Sequence, residues 1–153
     1  MSDPSAMTLG HFQALSEQSL LSKKRVFERA AEAMGGALNL SSETIYRALL
    51  AREKLGSTAI GEGIAIPHCR INECAVAAGC LVTLQKPIDF GSADGQDVDI
   101  IFVLLVPEEA TEAHLKLLAA LARSFSNAEV RDRVRQTQDP EALKQLLVGG
   151  DAA

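Results

Sequence analysis

Gly56 to Arg70 reads GSTAIGEGIAIPHCR, a glycine-punctuated loop running into a short apolar segment that stops at Pro67-His68. Proline sets its own φ, biases Ile66 towards an extended conformation and donates no ladder hydrogen bond. An apolar strand pattern that ends in proline and then presents a histidine predicts an imidazole fixed at a sheet end. His68 is therefore the expected working residue.

Downstream of that stretch, Ala77 to Leu84 and Ile100 to Val106 are short runs rich in Val, Ile and Leu, and both read as buried strands. The segment KPIDFGSADGQDVD between them reads as a turn-rich connection. Upstream, Lys23 to Leu38 places Val26, Phe27, Ala30, Ala31 and Met34 at the spacing of an amphipathic helix. A second helix is expected to be capped by Ser42, with Glu43 in its first turn, Ile45, Ala48 and Leu49 facing inward, and Gly56 after its end. Arg52 lies four residues after Ala48 on the same side, so it is expected to lean towards His68.

Thr111 can cap a third helix running to about Ser126, which puts His114 in its first turn. Ala128 to Gln136 reads as a fourth helix, and Asp139-Pro140-Glu141 starts a last one, ended by Gly149-Gly150. Strands alternating with helices, without an internal repeat, indicate one α/β layered domain. That domain is expected over residues 11–148, between a flexible amino terminus (1–10, with His11 beside it taken as noise) and a flexible carboxyl end (149–153).

A chain that is 47% hydrophobic and 23% charged is balanced as a globular domain, which argues against disorder. A net charge of −5 with no basic run argues against nucleic-acid binding. The longest apolar run, Ile100 to Val106, falls far short of the roughly 20 residues that span a bilayer. The first residues have neither the basic start nor the apolar stretch of a signal peptide, so a cytoplasmic location is expected. Cys69, Cys74 and Cys80 match neither a disulfide framework nor a CxxC pair and read as reduced thiols.

A histidine moves protons, binds metal or attacks as a nucleophile. Metal is disfavoured, because the adjacent side chains of His68 and Cys69 point apart on an extended chain. No cofactor is expected. Hydrolysis has little support, since no recognisable triad motif surrounds the histidine. Attack on phosphorus needs a neutral imidazole, an orienting group and donors for the phosphoryl oxygens. Gly56, Ser57, Thr58, Gly61 and Gly63 form a loop whose N–H and hydroxyl groups can supply those donors, and Arg52 adds a planar fork. The loop lacks a Walker lysine, which argues against a nucleotide site. His114 stays open between a solvated surface group and a neutral imidazole bonding the phosphoryl group. Cys69 as a redox-active nucleophile beside His68 is a further alternative.

At these residues the chain resembles the fructose/mannitol-type (type 2) enzyme IIA domains of the bacterial phosphoenolpyruvate:sugar phosphotransferase system (PTS), above all their stand-alone nitrogen-regulatory branch. LGSTAIGEGIAIPHC from Leu55 carries the likeness, with AREK from Ala51, PIDF from Pro87 and FVLLVP from Phe102, over nearly all of Ser22 to Leu147. The resemblance implies a single three-layer domain, a mixed β-sheet with helices packed on both faces. It implies that His68 accepts a phosphoryl group on the nitrogen remote from the backbone, from a phosphohistidine carrier resembling HPr (NPr in the nitrogen system), with Arg52 and His114 holding the group. It also implies that phosphorylation controls partners such as sensor kinases or potassium transporters. The alternatives are a sugar-type IIA passing phosphate to a IIB domain, disfavoured by the lack of a fused IIB segment, and a binding module of the same fold that carries no phosphate. Cys69 stands where many relatives have glycine, and Asp97 where some have proline.

Overall fold

The computed structural model describes residues 9–109 and 112–149. Thr111, residues 1–8 and 150–153 lie outside the described residues, and with them the expected third-helix cap and most of both expected flexible ends.

Six strands among the described residues form one mixed sheet. They are β1 (His11–Gln18), β2 (Ala59–Gly61), β3 (Ile64–Ala65), β4 (His68–Ile71), β5 (Ala78–Ile88) and β6 (Val98–Pro107). β1 runs parallel to β5, β5 antiparallel to β6, and β3 and β4 both parallel to β6, with β2 folded back on β3. Helices α1 (Lys23–Leu38) and α2 (Ser42–Lys54) precede β2, and α3 (Glu112–Phe125), α4 (Ala128–Gln136) and α5 (Pro140–Lys144) follow β6, the last running into a π-helical turn at Gln145–Gly149.

The period-two alternation of β6 explains the layers. Ile101, Val103 and Leu105 point to one face, where they pack with Val26, Phe27 and Met34 of α1 and Ile45 and Leu49 of α2. Ile100, Phe102, Leu104 and Val106 point to the other, with Leu117, Leu121 and Phe125 of α3, Val134 of α4 and Leu143 of α5. Helices thus cover both faces, which is why β5 and β6 read as continuous apolar runs instead of alternating ones.

Local signals set the helix ends. Ser22 accepts from the Arg25 N–H, Asn127 from Glu129 and Val130, and Asp139 from Ala142 one residue before Pro140. The second helix is capped by Ser41, whose hydroxyl accepts from Thr44, rather than by Ser42, which is its first residue. His11, taken as noise beside the amino terminus, opens β1 opposite Ala78. Lys86, Pro87 and Ile88, expected in the turn-rich connection, extend β5.

Candidate active site

Pro67 does not end a strand as its sequence context implies. Ile64 pairs with Ile100 and Ala65 with Ile101, then His68 with Leu104 and Cys69 with Leu105, so one register runs through the proline. Pro67 cannot donate to the ladder, which interrupts it for two residues, but its carbonyl accepts from the Leu104 N–H at 2.9 Å. His68 consequently begins a strand and shares the face of Leu104, on the α3 side of the sheet.

The ring of His68 is latched. Its Nδ1 lies 2.9 Å from the carbonyl oxygen of Ile66. A carbonyl only accepts, so in the neutral imidazole Nδ1 carries the hydrogen and Nε2 the lone pair. The imidazole is half-buried, and it lines an open cavity of about 470 Å³ together with Arg52, Leu55, Cys69, Arg70 and His114. Leu104 and Val106 form its apolar floor, and Leu115 and Leu118 of α3 its far wall. Helices α2 and α3, from opposite faces of the sheet, thus meet around the edge strand β4.

The structure therefore brings Arg52, His68 and His114 to one cavity. Arg52 sits in the last turn of α2, with Nη1 donating to the Gly56 carbonyl at 3.0 Å. His114 is half-buried in the first turn of α3. Arg70 escaped the sequence reading. It lies two residues after His68 on the same strand face, a position that period-two alternation gives once His68 is known to start a strand.

The glycine loop is not brought to the cavity. Ser57 Oγ donates to the Phe90 carbonyl at 2.7 Å, and Thr58 donates through Oγ1 and N to the Glu53 carboxylate at 2.7 and 3.2 Å. Gly61 (φ 97°), Glu62 (φ 59°) and Gly63 (φ 81°) make a left-handed turn between β2 and β3. A Cβ on Gly61 would meet Asp94 at 3.2 Å, and one on Gly63 would meet Arg135 at 3.1 Å and Asp99 at 3.2 Å. Gly63 also precedes His68 by five residues along an extended edge, about 16 Å at strand rise. Gly56, Ser57, Thr58, Gly61 and Gly63 shape the edge, and none is among the described residues lining the cavity.

Burial pushes the Cys69 thiol up to about 12, with nearby Cys74 adding to the effect. A thiol held protonated is a poor nucleophile, which weighs against Cys69 as a redox centre. Among the described residues no group of His, Cys, Asp and Glu could hold a metal ion, and no helix is long and apolar enough to cross a membrane.

Comparison with known proteins places the fold and the sequence. Residues 12–149 match the profile of the family described as phosphoenolpyruvate-dependent sugar phosphotransferase system, EIIA 2. The nitrogen regulatory protein of Pseudomonas aeruginosa is 49% identical over 128 residues, 83% of either chain. That of Escherichia coli K12 is 41% identical, over 82% of this chain and 78% of its own. The crystal structure of nitrogen regulatory protein IIA-Ntr from Neisseria meningitidis superposes with a TM-score of 0.82 at 38% identity, covering 88% of this chain and 92% of that one. IIA mannitol from Escherichia coli shares the fold at 19% identity, with a TM-score of 0.72. A mixed sheet layered between helices is thus the fold of a known group, and the chain belongs to the type 2 enzyme IIA family of the phosphoenolpyruvate-dependent sugar phosphotransferase system.

Proposed function

We propose that this protein is a phosphoryl carrier in which His68 Nε2 takes a phosphoryl group from a phosphohistidine carrier of the HPr or NPr kind. The observation that carries the reading is the latch between Nδ1 and the Ile66 carbonyl, which leaves the lone pair on Nε2 in a cavity shared with Arg52 and His114. In the transfer, a bond forms from His68 Nε2 to phosphorus as the donor's P–N bond breaks, and the bonding pair leaves with the donor imidazole. The hydrogen stays on Nδ1, donated to the Ile66 carbonyl, so the phosphorylated ring is left cationic. The donor ring, protonated on its other nitrogen, departs as neutral imidazole without an external base.

Arg52 and Arg70 supply positive charge for the phosphoryl oxygens, and the Arg52 fork suits two of them at once. His114, which lines the same cavity, would donate to a third. The cavity rim is apolar and open: Leu55 is 84% and Leu115 64% exposed. Such side chains beside the reacting atom provide a surface for a protein donor, not for a small molecule that would be enclosed.

The regulatory role rests on similarity to proteins named nitrogen regulatory protein, of which this chain covers about four-fifths. A phosphohistidine adds up to two negative charges at a rim that is otherwise apolar and cationic, which is enough to exchange one partner for another. Sensor kinases and potassium transporters are candidate partners, and the cytoplasm is the compartment such a relay requires.

The test is intact mass after incubation with phosphoenolpyruvate, enzyme I and HPr. Wild type is expected to gain one acid-labile phosphate of about 80 Da, and His68→Ala none. Folded wild-type protein that stays unmodified at saturating phosphorylated HPr and NPr would overturn the reading.

A further inference from the structure

Glu53 is the residue after Arg52, and its side chain is only 6% exposed. Its carboxylate accepts from Lys23 Nζ at 2.8 Å, from Thr58 Oγ1 at 2.7 Å and from the Thr58 N–H at 3.2 Å. Lys23 Nζ in turn lies 4.7 Å from the centre of the Phe90 ring, and the Phe90 carbonyl accepts from Ser57. The contacts close a ring: the start of α1, the end of α2, residues 57 and 58, and the loop at Phe90.

A buried carboxylate persists only when it is paired and fully bonded, and an apolar side chain would fill such a site at less cost. Two of the three bonds of this one come from Thr58, in the short link from α2 to β2, and the third ties it to the start of α1. That link contains Gly56, whose carbonyl receives Arg52 Nη1 and whose own N–H bonds back to the Glu53 carbonyl. Gly56 has φ 152°, a conformation suited to glycine, so the direction of its carbonyl is set by what holds the residues on either side. Glu53 holds both sides: its backbone carbonyl the near one, its carboxylate the far one.

We propose that Glu53 is a positioning residue for phosphoryl transfer, fixing the Gly56 carbonyl through Thr58 and Lys23 and thereby where the Arg52 guanidinium stands beside His68. The inference rests on the carrier reading above and goes beyond it, because Glu53 lines no part of the cavity described here.

The experiment is rapid-quench transfer from HPr charged by enzyme I and phosphoenolpyruvate, over a range of HPr concentrations. Wild type, Glu53→Gln, Arg52→Gln and the double variant are compared, with melting temperatures measured alongside. Misplacing the guanidinium by a fraction of an ångström is expected to lower the maximal rate of Glu53→Gln about tenfold, with half-saturation within about twofold of wild type. The double variant is expected to be no slower than Arg52→Gln alone, since two changes acting through one group do not add. Should Glu53→Gln fold poorly, Thr58→Val, which removes one bond at nearly constant volume, carries the same cycle with a smaller loss.

Losses that multiply in the double variant, or a lowered melting temperature with an unchanged maximal rate, overturn the positioning role while the carrier reading stands. Wild-type transfer by Arg52→Gln overturns the positioning role alone, since it removes the group being positioned, whereas absence of transfer to folded wild type overturns the carrier reading.

Discussion

The two ends of the β3–β4 edge share one register and do opposite work. At the His68 end, Arg52, Arg70 and His114 face an open apolar cavity. At the other end, around the Gly61–Gly63 turn, opposite charges are matched: Arg135 binds Asp99 through two bonds of 2.8 and 2.9 Å, Arg131 lies 3.8 Å from Glu62, and Asp94 accepts from the Glu62 N–H. Bonds from Ser92 and from the Gln96 and Glu62 N–H groups hold the Asp94 carboxyl below the usual range. One signature of fifteen residues thus contains a half that opens on a cavity and a half that is bonded within the fold. Polar groups bonded to one another at the turn fix geometry, whereas the groups at the other end line a cavity that a ligand can enter.

The sharpest way to break this division is to exchange the consequences. His68→Gln removes the acceptor nitrogen and is expected to abolish phosphate uptake, read by intact mass, with the melting temperature nearly unchanged because the ring is only half-buried. Gly63→Val should do the reverse. It forces φ 81° on a branched residue and crowds Arg135 and Asp99, costing about 1–3 kcal/mol in urea unfolding, while the folded fraction still takes phosphate. Lost uptake by folded Gly63→Val protein would join the two halves again.

A milder probe is Asp99→Asn. Burial and the bond to Asp99 act oppositely on Arg135, whose guanidinium the bond holds above its ordinary value. Because that arginine is 35% exposed, solvent screens the pair, and a loss of about 0.5 kcal/mol is expected, shrinking further at high salt. Transfer should not change. The smallest effect at neutral pH comes from the thiols on the α1–α2 face. Burial pushes Cys69 and Cys80 up to about 12 from an ordinary 9.0, so the folded state holds their protons more tightly than the unfolded chain. The stability they contribute is complete below pH 9 and is lost as pH rises through 12. Urea midpoints measured across that window should fall less steeply for Cys69→Ala than for wild type.

Much of the fold was legible because its signals are local. The stripe Val26, Phe27, Ala30, Met34 and the cap-proline-acid run at Asp139 act within one helix, and the apolar run of β6 announces a strand covered on both faces. β1 was missed because HFQALSEQ contains no β-branched residue. Its conformation comes from pairing with β5, and its register even shifts near Glu17, which has φ 51°. The expectation that Arg52 leans towards His68 agrees with the cavity that the two share with His114. The placement of the glycine loop away from the cavity was not legible, because glycine that frees a backbone for an anion and glycine that makes a left-handed turn look identical in sequence; the neighbours Asp94, Asp99 and Arg135 are distant along the chain. Arg70 was hidden by taking Pro67 as a terminus.

The unbroken register past Pro67 has a consequence for how this chain can vary. The side-chain face alternates with every residue, so inserting or deleting one residue between Ile64 and His68 would turn His68 away from α3 and towards α1 and α2, while Cys69 would take its place. Substitution along the edge is negotiable, and length is not. Descendants of this sequence can change what surrounds the histidine, but they must keep counting to it in the same number of steps.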